Sequence, residues 1–469
     1  MNLTYKILIP YLKKKGIQFQ IEGNPGTAIT GFSTDTRTAK PGNSFLAIEG
    51  DVYDGNNFTK DAIDSGANSL ICKPGADRSG SEFSLVSDNP LLIFRAIAAF
   101  WREQFDIPVI AVAGSVGKTT TKEMISTLLD GNTEVLKTER SENGFLGIPK
   151  TLLNLNDLHR IAVIEVGIDE KGAMAQHLEI VKPDYGVITA ISEEHLEKIG
   201  EFSDVVDEEL RLFRYLVENG KTVFANLDDY YVRKWASKTN YKYTIGYTTD
   251  EEFVRNAKYL GKISNNFKKF TFSVIGSNKE LFSTYPPLPG DHNATNLTGA
   301  VAVALELGTE PEGILSRISK IAPTTGRTQL ESVGKIQIFN DTYNSNPASV
   351  KAALRTASQI CRTTDSRLLI CLGDMLELGR MEENYHRDIA VDIDRIESAE
   401  IFLFGDRMRW LFETLESLKF KVPHSHYDSI DELASNLLNK VKPGDLVLIK
   451  GSRGMKMERI IDAIKSKKG

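Results

Sequence analysis

The stretch VIAVAGSVGKTTTKEM, residues 109–124, decides how this chain is read. VIAVAG has the composition of a buried strand, SVGK is a tight loop, and TTTKEMISTLL opens a helix. A strand that passes through a glycine loop into a helix N-terminus is a phosphate cradle. Gly114 and Gly117 let the backbone of the loop, with Ser115 and Val116 between them, approach phosphate oxygens closely. The first helical residues, through Thr120, add aligned N–H donors. Lys118 can reach the β- and γ-phosphates, and the Thr119 hydroxyl suits Mg²⁺. A strict G-x-x-x-x-G-K-[ST] loop would carry glycine at position 112, where Val112 stands, so this is a shortened G-S-x-G-K-T variant. ATP and Mg²⁺ are the expected cofactors. The loop does not name the acceptor of the terminal phosphate, since a kinase, a switch, a motor and an amide-forming ligase can all begin this way.

Outward from the loop, continuous apolar strands alternate with helical segments: PVIAVAG, RIAVIEVG, YGVITAI and KTVFANL. That alternation predicts a parallel sheet covered on both faces. A polar stretch at 250–285 containing KKFTFSVIG predicts a strand excursion. The Pro/Thr/Gly cluster in SKIAPTTGRTQL reads as a linker. A second series follows it, IQIFND, RLLICLG, AEIFLFG and DLVLIKG, and predicts a Rossmann-like domain. Before the loop, NSFLAI, NSLIC and FSLV are short strand signals, and PLLIFRAIAAFWREQF is helical. The expected architecture is α/β in three domains. A small N-terminal α/β domain (residues 1–105) and a C-terminal Rossmann-like domain (323–469) flank a central P-loop ATPase domain (106–322) with a parallel sheet.

Composition narrows the partners. With 57 basic and 63 acidic side chains the net charge is −6, so nothing electrostatic favours nucleic acid or anionic lipid. No apolar run is long enough to span a bilayer. Cys72, Cys361 and Cys371 are isolated, with neither metal spacing nor a disulfide framework, as in a reducing compartment. The segment MNLTYKILIPYLKKKG reads as a first helix and not a signal peptide, and the basic end KSKKG as a solvated tail. A cytoplasmic monomer is expected.

The metal of a P-loop needs a carboxylate on a neighbouring strand. Glu165 ends the apolar strand RIAVIEVG, where a charge is costly unless paired or metal-bound. His195, in ITAISEEHLEKIG, follows another buried strand, where strand ends of an α/β sheet gather ligands. Glu193, Glu194 and Glu197 crowd it and read mostly as surface charge.

Taken together these segments resemble the Mur ligases, ATP-dependent amide-forming enzymes of cell-wall assembly, over essentially the whole chain. FSTDTRTAKPGNSFLAIEGDVYDGNNF is similar to that family's segment for a UDP-linked substrate, GSVGKTTTK to its P-loop and EEHLEKIG to its metal-binding His segment. LPGDHNATNLTGAVAVALELG resembles its adenine-side element, and GRTQLE with FNDTYNSNPASVKAAL its central-to-C-terminal junction. LGDMLELG and KGSRGMKME are nearest to the member that adds D-alanyl-D-alanine to a UDP-N-acetylmuramoyl tripeptide. The resemblance implies that a substrate carboxylate takes the γ-phosphate to form an acyl phosphate, which an incoming amine then attacks.

Lys118, His195, Glu209 and Arg327 would carry the chemistry, and Thr119, Glu165, His195 and Glu209 the metal. Asn293 and Asn296 would face adenine; Arg327 and Asp341 would reach phosphate and ribose. Thr36 and Arg37 would contact the uridine diphosphate, and Asn143, Tyr343, Asn344 and Asn346 the substrates. KGSRG is a plain turn unless Lys450 and Arg453 face the cleft.

The chain departs from the family pattern twice. Many members carry a lysine, carbamylated to bridge the metals, about fourteen residues after the His; here that position is Glu209, beside Asp207 and Glu208. Glutamate offers the same charge on a shorter arm and needs no CO₂, although these acids could equally form a solvated helix face. In SENGFLGIP, Asn143 remains but Gly144 takes the place of a second Asn, which leaves the nucleotide-linked substrate open. The alternatives are a Mur-type ligase for another amine or wall polymer, such as pseudomurein, and a P-loop ATPase that forms no covalent product.

Overall fold

The computed structural model describes residues 3–50, 53–130, 134–264, 268–276 and 279–468. Parts of the UDP-substrate segment (51–52) and of the strand excursion (265–267 and 277–278), and Gly469 of the basic end, lie outside them. The chain forms two compact units, one of residues 1–110, 133–166 and 175–183, the other of residues 111–132, 167–174 and 184–469.

In the first unit a five-stranded sheet runs in the order Gln20–Gly23, Phe83–Val86, Ser69–Cys72, Asn43–Leu46, Gly31–Ser33. Its first pair is antiparallel and the rest are parallel. The three strands expected from NSFLAI, NSLIC and FSLV are its fully buried centre. Helix Pro90–Arg102 starts where its sequence says it should. Asn89 caps the Leu92 N–H at 3.0 Å and Pro90 occupies the first turn, where no donor is needed. The first helix, Tyr5–Lys14, buries Tyr5, Leu8 and Leu12. The Tyr5 ring stacks on Phe83 at 4.1 Å, and its hydroxyl is satisfied by Ser44 and Ser69.

His177 is a buried anomaly in this unit. Its ring lies 4.7 Å from Phe145 and neither ring nitrogen has a hydrogen-bond partner. Burial, with the charge of Arg95 adding to it, lowers its pKa from 6.5 to about 3. Within that window the unfolded chain binds a proton that the folded chain refuses, so stability falls as pH falls below 6.5. His177→Phe is expected to remove up to one proton from this dependence, roughly 1.4 kcal/mol per pH unit. Denaturant unfolding within and above the window tests it, and an unchanged slope would count against it.

In the second unit the strands Tyr185–Ile188, Thr222–Asn226, Thr244–Thr248 and Tyr259–Ser264 pair in parallel, each with the next. Lys269–Val274 and Lys279–Thr284 then add antiparallel strands, which is the expected excursion. Helix Phe202–Glu218 packs against this sheet and buries Val205, Leu212, Phe213 and Leu216 together with two acids, Glu208 and Glu209.

The last part of the chain is a six-stranded sheet. Its order is Gln329–Val333, Ile336–Asp341, Leu446–Lys450, Leu368–Gly373, Glu400–Phe404, His424–Tyr427, with only the first pair antiparallel. Its four inner strands are those expected. Two apolar cores, one containing Phe339 and Leu354, the other Ile338 and Leu437, are built on alternate residues of the same strands and so cover both faces.

Candidate active site

Sheet strand ends of the second unit supply the nucleotide loop and its neighbours. Gly114 (φ 114°) and Gly117 (φ 93°) hold left-handed backbone that a side chain would strain. A Cβ on Gly114 would lie 2.4 Å from Thr189 Oγ1, and one on Gly117 would lie 2.9 Å from Asn296 Oδ1. Gly114→Ala is therefore expected to cost about 1–3 kcal/mol of backbone strain and to abolish nucleotide binding. Titration with an ATP analogue checks this; wild-type affinity in a folded variant would refute it.

The loop is tied to the segment that carries His195. Ser115 N–H donates to Ala190 O (2.7 Å) and its hydroxyl to Ser192 O (2.9 Å), while Ser192 N–H returns a bond to the hydroxyl (3.0 Å). Thr189 Oγ1 donates to Val116 O at 2.6 Å, and Asp229 accepts from Ile191 N–H at 3.0 Å. These bonds deliver Glu194 and His195 to the loop. Lys118 Nζ donates to Gly114 O and lies 3.5 Å from Glu194 Oε1. His195, at φ 51°, sits 2.5 Å from Glu377 Oε2 through Nδ1 and 4.0 Å from Glu194 through Nε2. Burial disfavours its imidazolium, but the Glu377 hydrogen bond and the charge of Glu194 outweigh that and hold its pKa above the ordinary value. The carboxyl of Glu377 is correspondingly held low by the same hydrogen bond. Leu196 N–H also donates to Glu377 O at 2.9 Å, so LGDMLELG is docked on the His segment.

Glu209 is not on a solvated helix face. It is wholly buried, its Oε2 accepts the Gly114 N–H at 2.8 Å, and its Oε1 has no hydrogen-bond partner. Burial pushes its pKa up to about 8, Lys118 pulling against that and Glu194 adding to it. The neighbouring acids divide otherwise. Glu208 is buried but occupied, accepting the Gly172 N–H at 2.9 Å, and Asp207 is exposed beside Arg211 and Arg214. Glu194, read as surface charge, is only 7% exposed. Lys118 and His195 draw it inward, a pairing across 76 residues of chain.

Thr119 is fully buried, and Thr120 partly so, on the first turn of the loop's helix, Lys118–Leu129. Asn293 and Asn296 share a face of helix Asp291–Glu306, 3.4 Å apart, with Asn296 beside Gly117. A second group gathers at the C-terminal sheet. Asp341 accepts from Thr328 N–H (3.0 Å) and from Lys450 (2.6 Å), and Lys450 also donates to Asn344 O. The Arg327 guanidinium lies 4.0 Å from the centre of the Tyr343 ring. Asn346 caps helix Pro347–Thr364 in a reciprocal pair with Ser349, and its amide also reaches Ser192 Oγ at 3.2 Å.

In the first unit Asn143 donates to Glu165 at 2.7 Å, and Glu165 is fully buried. Gly144 faces open space, so sterics do not demand glycine there. A cavity of about 630 Å³ is lined by residues that include Ser33, Thr34, Asp35, Thr38 and Lys150. Thr36 and Arg37 are not in its lining; Arg37 is 86% exposed and folds back onto Asp35 at 2.6 Å. Lys150 is the cation that the sequence did not single out.

Residues 112–304 match the Mur ligase middle domain, and residues 326–453 the Mur ligase glutamate ligase domain. The chain is 30% identical over 440 residues to the UDP-N-acetylmuramoyl-tripeptide--D-alanyl-D-alanine ligase of Buchnera aphidicola subsp. Baizongia pistaciae, covering 93% of this chain and 92% of that protein. To the Bacillus subtilis ligase of the same name it is 29% identical, covering 94% of both. A crystal structure of MurF from Acinetobacter baumannii superposes with a TM-score of 0.86 at 25% identity, covering 100% of this chain and 99% of the other. The chain belongs to the Mur ligase family, ligases that use ATP to form amide bonds.

Proposed function

We propose that this protein joins D-alanyl-D-alanine to a UDP-N-acetylmuramoyl tripeptide in peptidoglycan precursor synthesis. The observation that carries this reading is the end-to-end likeness to ligases of that name, joined to a phosphate loop whose lysine faces buried acids. A carboxylate is a poor acylating agent, and phosphorylation turns one of its oxygens into a leaving group. The substrate carboxylate oxygen attacks the γ-phosphorus and ADP departs. The amine nitrogen then adds to the acyl carbon, and the tetrahedral intermediate expels inorganic phosphate while the nitrogen loses its proton to solvent. Lys118 neutralises charge where two anions meet, and the loop N–H groups orient the nucleotide. Because acyl phosphates hydrolyse, the reacting centre must exclude water.

The chain's donors fit Mg²⁺. Glu209 presents a buried, unpartnered carboxylate oxygen, and Thr119 a hydroxyl. No group of three His, Cys, Asp or Glu side chains among the described residues is placed to hold a metal ion by itself. That suits an ion which keeps waters and phosphate oxygens as its other ligands. When bound it would supply positive charge to the transferring phosphoryl group. Glu209, Thr119 and His195 are assigned to it, and Glu165 by resemblance. Asn293, Asn296, Arg327 and Asp341 are assigned to ATP, and the 630 Å³ cavity to the uridine diphosphate. Residues 1–105, 106–322 and 323–469 would serve the UDP-substrate, ATP and amine respectively, in a cytoplasmic monomer. No helix among the described residues is long and apolar enough to cross a membrane.

Gly144 favours a second reading, a ligase of the same kind with another muramoyl-type substrate. Phosphate release over a panel of UDP-muramoyl peptides and amines tests both. Release with the tripeptide only when D-alanyl-D-alanine is present supports the first. Release independent of any amine, or no activity with muramoyl precursors, overturns it.

A further inference from the structure

His195 and Glu377 share an unfavourable backbone. Both are non-glycine residues in the left-handed region, at φ 51° and φ 65°, and their side chains meet across 182 residues of chain. Glycine is the easy residue for such a turn. The loop that carries Glu377 uses it two positions on, at Gly379 (φ 63°), where a Cβ would lie 3.3 Å from the Leu196 Cβ. The turn therefore does not explain a glutamate at 377, and the contact of its side chain does. Its carboxylate lies 2.5 Å from His195 Nδ1 although the side chain is 54% exposed. An ion pair that open to water adds little stability, so the contact serves orientation. The other ring nitrogen, Nε2, is turned to Glu194 at 4.0 Å, and the second oxygen of Glu194 is 3.5 Å from Lys118. Glu377 is itself held from the C-terminal sheet. Leu376 N–H donates to Ser452 Oγ at 2.8 Å, and Ser452 N–H to Asp374 O at 3.0 Å. Asp374 follows the strand Leu368–Gly373, and Ser452 lies just beyond the strand Leu446–Lys450.

We propose that Glu377 is a positioning residue for His195. By accepting the Nδ1 hydrogen it fixes the tautomer and the ring orientation, and it leaves Nε2 as the nitrogen available to a metal. The C-terminal sheet thereby sets the orientation of a residue beside the phosphate loop. The proposal rests on the ligase reading above, through the assignment of His195 to the metal.

Glu377→Gly separates this role from a structural one. It deletes the carboxylate but suits the left-handed backbone. The strain it relieves offsets the freedom it adds to the unfolded chain, so the melting temperature should stay near that of the wild type. Mn²⁺ is bound together with a non-hydrolysable ATP analogue, and nitrogen coupling to it is read by electron spin-echo spectroscopy. The wild type should show a histidine nitrogen on Mn²⁺ that is missing in His195→Gln, which assigns it. In Glu377→Gly the coupling should be lost, and Mn²⁺ affinity should fall roughly 10- to 100-fold. Glu377→Gln keeps an oxygen that can accept the Nδ1 hydrogen and should restore most of both. The kcat of phosphate release should follow the same order. Undiminished coupling and affinity in Glu377→Gly, or no histidine coupling in the wild type, overturns the proposal. The spectrum needs no acceptor substrate. Should the wild type release no phosphate with the UDP-tripeptide and D-alanyl-D-alanine, the ligase reading itself fails, an outcome distinct from these.

Discussion

Lys118→Met is expected to lower kcat by roughly 10²–10³-fold, the usual loss when one group that stabilises transition-state charge is removed. Methionine preserves most of the stem and deletes only the charge. The cation it deletes sits beside Gly114 O and 3.5 Å from Glu194, in a side chain only 12% exposed, where water screens little. Without it Glu194 and Glu209, which already repel each other, lose the positive charge that both feel. Single-turnover phosphate release, with nucleotide affinity measured separately, checks the result. A folded variant with kcat within a few-fold of wild type would remove Lys118 from the chemistry. Weaker nucleotide binding with an unchanged chemical step would make it a binding residue only.

The phosphate loop was legible in the sequence because its function is local. Two glycines, a lysine and a threonine fix the backbone and its donors within six residues. The inner strands were legible because they are buried on both faces and therefore read as unbroken apolar runs, as in LLICLG and LVLIK. Gln20–Gly23 was not, since all four residues are exposed and carry no apolar pattern, and the half-buried edge strand His424–Tyr427 is mostly polar. Glu194 was misread for a different reason. Two adjacent glutamates look like surface charge, and only the fold brings Lys118 and His195 to one of them. Asn346 carries a local signal of a different kind. Asn, then Pro, then Ser three residues on is a helix-capping pattern, and the structure uses it so. Thr36 and Arg37 lie in a motif that does sit at a cavity, but the residues that line it are their neighbours, Asp35 and Thr38. A motif locates a site to within a residue or two, and side-chain direction decides the rest.

Glu209 is where position was legible and environment was not, and its substitutions separate charge from structure. Glu209→Gln retains the volume and an oxygen that can still accept the Gly114 N–H, so it deletes only the anion that a bound cation would hold ionised. The Mg²⁺ concentration for half-maximal activity is expected to rise roughly 10- to 100-fold, the range seen when a group supporting a metal is lost. Mn²⁺ binding in the presence of a non-hydrolysable ATP analogue, followed by electron paramagnetic resonance, should weaken in parallel without any turnover. Glu209→Ala should do the same and also lower the melting temperature. It leaves the buried Gly114 N–H without an acceptor, at a cost of about 1–3 kcal/mol, and opens a cavity besides. Glu209→Lys places, at a position buried from water, the lysine of the family pattern described above. Its amine would need CO₂ to become an anion, so its activity should be low and should rise with added bicarbonate. An unchanged metal dependence and rate in Glu209→Gln would reduce Glu209 to a buried acceptor for the loop. A bicarbonate response confined to Glu209→Lys would instead identify the carboxylate here as the standing form of a charge that other members make by carbamylation.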